Sequence, residues 1–130
     1  MRLLLDTHHC YWLVVEPGKL TPSERRTIDR SNALAFSAAS IWELRLKWGR
    51  RFVSGERKGP VDPADLLEAL TIRGLRVLTV TPHIAAATLR HPLDHSDPFD
   101  ELLLTQAQEE GYRLLTRDEK LASHPLALVA

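Results

Sequence analysis

Five carboxylates stand where the chain could do chemistry. Asp97 and Asp100 lie three apart in "DPFDELLLTQA", where a helix with an apolar stripe begins. They could cap that helix, or one of them could help to hold a metal ion. Positions three, four and seven beyond Asp100 are Leu103, Leu104 and Ala107. Asp100 therefore extends the apolar stripe, and its carboxylate is expected on the inward side near the helix start. Asp97 fits the N-cap, with Pro98 first in the helix and Asp100 third, an imitation of a capping box worth ~1 kcal/mol. Asp6 directly follows the apolar run "RLLL", and Asp118 ends "YRLLTRD". Glu43 sits inside "AASIWELRLKWG". It is either an exposed partner of Lys47, worth roughly 0.2–0.5 kcal/mol, or functional, and its neighbours Ala39 and Leu46 leave both open.

The elements that must position these acids alternate along the chain. "RLLLD" reads as a buried strand, and "THHCYWLVVEPG" as a helix broken at Pro17-Gly18. "TPSERRTIDRS" opens with Thr21 as N-cap and Pro22 first in the helix. "ALAFS" is a second strand, and "AASIWELRLKWG" a helix closed by Gly49. "RRFVSGERKGPVD", rich in Gly, Pro and cations, reads as an exposed loop. "PADLLEALTIRG", "LRVLTV" and "TPHIAAATLR" read as helix, strand and helix. The "DPFD" helix runs to about Gly111, "YRLLT" makes a fourth strand, and "LALV" a fifth. Such alternation implies right-handed crossovers and a mainly parallel sheet covered by helices on both faces. With no repeat or linker, residues 1–130 are expected to form a single domain. Ligands of such sheets bind beyond the carboxyl ends of the strands, so Asp6 and Asp118 are expected over one edge.

Composition narrows the function classes. Lys plus Arg number 17 and Asp plus Glu also 17, so bulk attraction to nucleic acid is excluded and polyanion contact needs a local patch. The lone Cys10 excludes a disulfide framework and a cysteine-built zinc site. Asp6, Thr7, His8 and His9 interrupt the apolar start, which argues against a signal peptide, and no stretch approaches the ~20 apolar residues of a membrane helix. A soluble cytoplasmic protein is expected.

Four stretches, "LLLDTHHCYWLV", "SAASIWELRLKWGR", "DPFDELLLTQAQEEG" and "LLTRD", resemble the successive blocks of PIN-domain ribonucleases, and more narrowly the VapC toxins of bacterial toxin–antitoxin pairs. The resemblance spans nearly the whole chain, in order. It implies a three-layer α/β/α sandwich with a mainly parallel central sheet of about five strands, and four acids meeting at its carboxyl edge: Asp6, Glu43, Asp100 and Asp118. Asp97 then mainly caps its helix and accepts hydrogen bonds at the margin of the site. Thr7 and Thr116 match hydroxyls that orient the carboxylates. At one position the chain departs: relatives with "DPFD" commonly carry Arg just before it, where this sequence has Ser96.

Crowded carboxylates repel unless a cation neutralises them, and hard oxygen ligands select Mg²⁺ or Mn²⁺. The chemistry implied is metal-assisted hydrolysis of RNA phosphodiester bonds. Asp6 and Asp118 are assigned to the principal ion. Glu43 and Asp100 complete its shell, bind a second ion or accept a proton from water. Lys47, Arg50, Arg51, Arg57 and Lys58 cluster around the loop as a basic patch for RNA, with Lys47, Arg50 and Arg51 as its core. Trp42, Trp48 and Phe52, interleaved with it, are read as packing or a dimer surface before base stacking. His8 and His9 are read as first-turn packing rather than catalysis. The four-residue spacing of His91 and His95 is set aside because Pro92 interrupts a helix between them. A small antitoxin and a homodimer are the partners the resemblance implies. The competing readings are a PIN-fold interaction module that no longer cuts, and a phosphotransfer receiver domain. The receiver would need an acidic pair after the first strand and an aspartate after "LRVLTV", where Thr81 and Pro82 follow.

Overall fold

The computed structural model describes residues 1–49, 61–94 and 96–130. Its centre is a five-stranded sheet: β1 (Arg2–Leu5), β2 (Ala33–Ser37), β3 (Arg76–Leu78), β4 (Arg113–Leu115) and β5 (Ala127–Leu128), in the order β3-β2-β1-β4-β5. Every pairing is parallel. Six helices accompany it: α1 (Thr7–Val14), α2 (Pro22–Arg30), α3 (Ala38–Trp48), α4 (Pro63–Ile72), α5 (Pro82–Ala86) and α6 (Pro98–Glu110).

The leucines of "RLLL" explain the layering. All three are fully buried, yet alternate sides face different cores. Leu3 and Leu5 join Cys10, Ile28, Leu44, Leu66 and Leu70, from α1, α2, α3 and α4. Leu4 joins Leu78, Leu103, Leu104 and Ala107, mostly from α6. The expected α/β/α sandwich is what forms, and its sheet is wholly parallel.

Four helices open as cap-then-proline, at Thr21, Asp62, Thr81 and Asp97. Gly74 and Gly111 have φ of 85° and 76°, the left-handed conformation that a glycine adopts without a Cβ clash. Gly49 does not: α3 stops there with φ −67°, its N–H donating to Arg45 O. Two elements are shorter than the sequence suggests. α5 ends at Ala86 although "TPHIAAATLR" is alanine-rich, because tertiary bonds claim the rest. Gln108 Nε2 donates to Thr88 O at 3.0 Å and its Oε1 accepts from Arg90 N at 2.8 Å, while Leu89 buries against the α6 side. β3 covers only part of "LRVLTV": the carbonyls of Leu78 and Thr79 accept from Gln106 Nε2, both at 3.3 Å.

Strand order sets the place of the site. β1 is central, flanked by β2 on one side and by β4 on the other, so the connections diverge at its carboxyl end. A topological switch of this kind leaves a crevice. Among the described residues no helix is long and apolar enough to cross a membrane.

Candidate active site

Asp6 leaves β1 with its N–H donating to Leu115 O at 3.1 Å, which ties the ends of β1 and β4 together. Its carboxylate is 9% exposed. Oδ1 accepts from His8 N at 3.3 Å, capping α1, and Oδ2 accepts from the hydroxyl of Thr116 at 2.7 Å. Thr116 Oγ1 in turn accepts from Asp118 N at 3.1 Å. One buried hydroxyl thus connects two acids that are far apart along the chain. Asp118 Oδ1 accepts from Lys120 N at 2.9 Å, an Asx turn that fixes its loop.

Glu43 approaches from α3. Thr7 Oγ1 donates to Glu43 Oε1 at 2.8 Å and lies 2.9 Å from Ser40 Oγ. The other carboxylate oxygen lies 3.6 Å from Lys47 Nζ. α3 is itself anchored at its start: Ser37 caps it through Ala39 N at 2.9 Å, and the Ser37 hydroxyl donates to the buried Gln106 Oε1 of α6. The helices bearing Glu43 and Asp100 are thereby pinned together. Asp97 is the N-cap of α6, with Oδ1 accepting from Phe99 N at 2.9 Å and Asp100 N at 3.3 Å.

These elements enclose a cavity of about 280 Å³. Its walls include Asp6, Glu43, Asp97, Asp100 and Asp118, together with Thr7. Thr116 lies beneath it, fully buried under Asp6. Lys47 is not part of the wall, and Arg50, Arg51, Phe52, Arg57, Lys58 and His95 fall outside the described residues. Trp42 is 55% exposed and does not pack into the core.

The donor set is all oxygen, which suits a hard divalent cation and not zinc. In this conformation the acids stand apart: among the described residues no three His, Cys, Asp or Glu side chains are gathered closely enough to hold an ion. Each of Asp6, Glu43 and Asp118 instead takes a neutral donor from the protein. Cys10 is no nucleophile, since burial and then the nearby Asp6 charge push its thiol far above the usual range.

Of the remaining lining, His8 and His9 are read in the sequence as first-turn packing, while Trp12 and Arg117 are not singled out there. His8, His9, Trp12 and Arg117 also line the cavity, and Glu24 from α2 holds His9 and Arg117. Glu24 completes a capping box with Thr21 and is only 1% exposed. Arg117 Nε donates to Glu24 Oε2 at 2.8 Å and Nη2 to Oε1 at 2.5 Å. His9 Nε2 lies 2.5 Å from Oε2. Burial raises the Glu24 pKa, but the hydrogen bonds from Arg117, the Thr21 backbone and His9 outweigh it and bring it down to about 2. The Arg117 guanidinium lies 4.2 Å from the Trp12 ring centroid, His9 meets that ring edge-on, and exposed His8 stacks on it at 5.6 Å. The capping box was readable from "TPSE"; the pairing of Glu24 with Arg117, 93 residues away, left no local signal.

Comparison with known proteins agrees with this architecture. The family model described as PIN domain matches residues 3–125. Ribonuclease VapC22 of Mycobacterium tuberculosis is 32% identical over 123 residues, covering 94% of this chain and 91% of that protein. The crystal structure of VapBC2 from Rickettsia felis bound to a DNA fragment from their promoter aligns over all of this chain and 98% of that one. Its TM-score is 0.66 and its identity 19%. DNA-bound VapBC from Salmonella typhimurium gives 0.63 and 17%, covering all of this chain and 97% of that one.

Proposed function

Because the chain belongs to the PIN-domain family, we propose that it is a Mg²⁺- or Mn²⁺-dependent endoribonuclease, the cytoplasmic toxin of a VapBC-type toxin–antitoxin pair. The observation that carries this reading is the arrival of Asp6, Glu43, Asp100 and Asp118, from four separate elements, in the wall of one cavity at the switch point of the sheet. Asp6 and Asp118 are the residues to hold the principal ion, with Glu43 and Asp100 completing its shell or taking the proton of the attacking water. A divalent ion, when bound, supplies a lower pKa for that water and neutralises charge on the phosphoryl oxygens. The protein's own part is positioning. Thr116 orients Asp6, and Thr7 fixes one oxygen of Glu43 while leaving the other toward Lys47. Water forms the new P–O bond as the P–O bond to the leaving ester oxygen breaks; a wall carboxylate accepts the proton that water gives up, and the leaving oxygen takes a proton from solvent. No covalent nucleophile is required.

The antitoxin reading is supported by the names of the similar proteins and by an open apolar surface. Trp42 and Leu46 of α3 are exposed, beside a groove lined by Ile41, Trp48 and Leu67. A partner helix fits such a surface, and an arginine from it can stand in for the metal's charge. Homodimerisation is part of the same proposal, through the face where Val80, Ile84 and Leu102 line a shallow depression.

One observation favours a second reading, a PIN-fold module that binds without cutting: the acids are not already gathered around an ion position. A single experiment separates the two. Purified protein with Mn²⁺ should cut a structured RNA, and Asp6→Asn should abolish cutting while leaving the Thr116 bond an acceptor. Equal behaviour of wild type and variant would leave only the module.

A further inference from the structure

Among the described residues that line the cavity, the one Lys or Arg side chain is Arg117, which the sequence did not single out. Lys47 is turned to Glu43 and lies outside the wall. Arg117 lies in it, with its side chain 37% exposed, while its partner Glu24 is sealed beneath.

A guanidinium carries five N–H groups. Arg117 commits Nε and one Nη2 hydrogen to the two oxygens of Glu24, a fork-to-fork pair, and the other Nη2 hydrogen to the carbonyl of Lys19. The plane is held from the side by Trp12 at 4.2 Å. No hydrogen bond among the described residues uses the two hydrogens on Nη1. The group is therefore charged, fixed in plane and orientation, and left with one donating edge beside a carboxylate-lined cavity. A carboxylate wall repels phosphate, so an anionic strand needs such an anchor beside whatever cation the acids hold. Fixing the guanidinium in advance removes the ordering cost that a free lysine would bear on binding.

We propose that Arg117 binds a phosphate of the RNA strand through its Nη1 edge, with Glu24 as the positioning residue that presents it. This rests on the ribonuclease reading above, and it assigns the recognition of phosphate to the cavity wall rather than to the loop beyond α3.

The test uses the whole chain and an RNA oligonucleotide, titrated across a salt series with Ca²⁺ in place of Mn²⁺, an oxygen-ligated ion that neutralises the acids but is a poorer activator of the attacking water. Mn²⁺ binding without RNA is measured separately by calorimetry. Arg117→Ala should weaken RNA binding about tenfold and reduce the slope of log affinity against log salt by about 0.7, the single-strand value for one phosphate contact. Mn²⁺ affinity should be unchanged. Arg117→Lys should restore the salt slope but only part of the affinity, because it returns the charge without the fork. Glu24→Gln should weaken RNA binding in the same direction and add little on top of Arg117→Ala. An unchanged salt slope in Arg117→Ala, with wild type binding RNA normally, overturns the proposal and leaves the nuclease reading standing. Equal losses of Mn²⁺ and RNA affinity also overturn it, since Arg117 would then only hold the Asp118 loop. If wild type itself does not bind the oligonucleotide, both readings fall together.

Discussion

The two walls of the cavity handle charge in opposite ways. On the Glu24 side, a fully buried carboxylate meets a guanidinium, an imidazole and a backbone N–H, and its negative charge is answered within the protein. On the acidic side, Asp6 and Asp118 take hydroxyl or backbone donors, and Glu43 has one lysine at 3.6 Å. Glu24 thus meets charged partners, whereas Asp6 and Asp118 meet neutral donors. On the proposed function, the difference separates Glu24, a scaffold that presents Arg117, from acids whose charge a divalent ion would complete.

The largest effect that tests this contrast comes from Glu24→Ala. It strands Arg117 and His9 beside a void, and a broken buried pair costs about 3–5 kcal/mol. Chemical denaturation should register that loss, whereas Asp118→Asn, which relieves repulsion and keeps an acceptor for Lys120 N, should leave stability unchanged or raise it. A large loss from Asp118→Asn would dissolve the distinction between the walls.

Acid should separate them next. The folded-state pKa of Glu24 is about 2, below its ordinary 4.5, so its contribution is complete above pH 4.5 and is lost as pH falls toward 2. A carboxyl held that far below its ordinary range adds on the order of 3 kcal/mol to stability at neutral pH. The pH dependence of stability across that window should flatten in Glu24→Gln, and an unflattened profile would mean that other carboxylates carry it.

The smallest effect is expected from Lys47→Ala. Its partner Glu43 is bonded elsewhere and the Lys47 side chain is partly exposed, so the stability change should stay below about 1 kcal/mol. A larger change would show that Lys47 does more for Glu43 than an exposed pair.

How much of this was legible in the sequence depends on the range of the forces involved. Strand β1, the cap-proline helix starts and the inward face of α6 follow from periods of two and 3.6 and from local capping, and the short-range pattern carries them. The family resemblance supplied the set of acids, which the structure brings to one wall. What failed was set by tertiary bonding. Gln108 cuts α5 short and Gln106 takes the carbonyls that would have prolonged β3, and neither glutamine differs in type from a solvated one. Glu24 likewise reads as an ordinary capping-box residue until Arg117 arrives from the far end of the chain.

The bond from Thr116 to Asp6 spans 110 positions, and it has a consequence for synthesis. A ribosome makes Asp6 well before the strand that must lie beside it, and 110 positions before the hydroxyl that aims it. Until then the earliest acid has no orienting neighbour and the cavity lacks one of its sides. The order in which the strands are made thus decides when the cavity is complete.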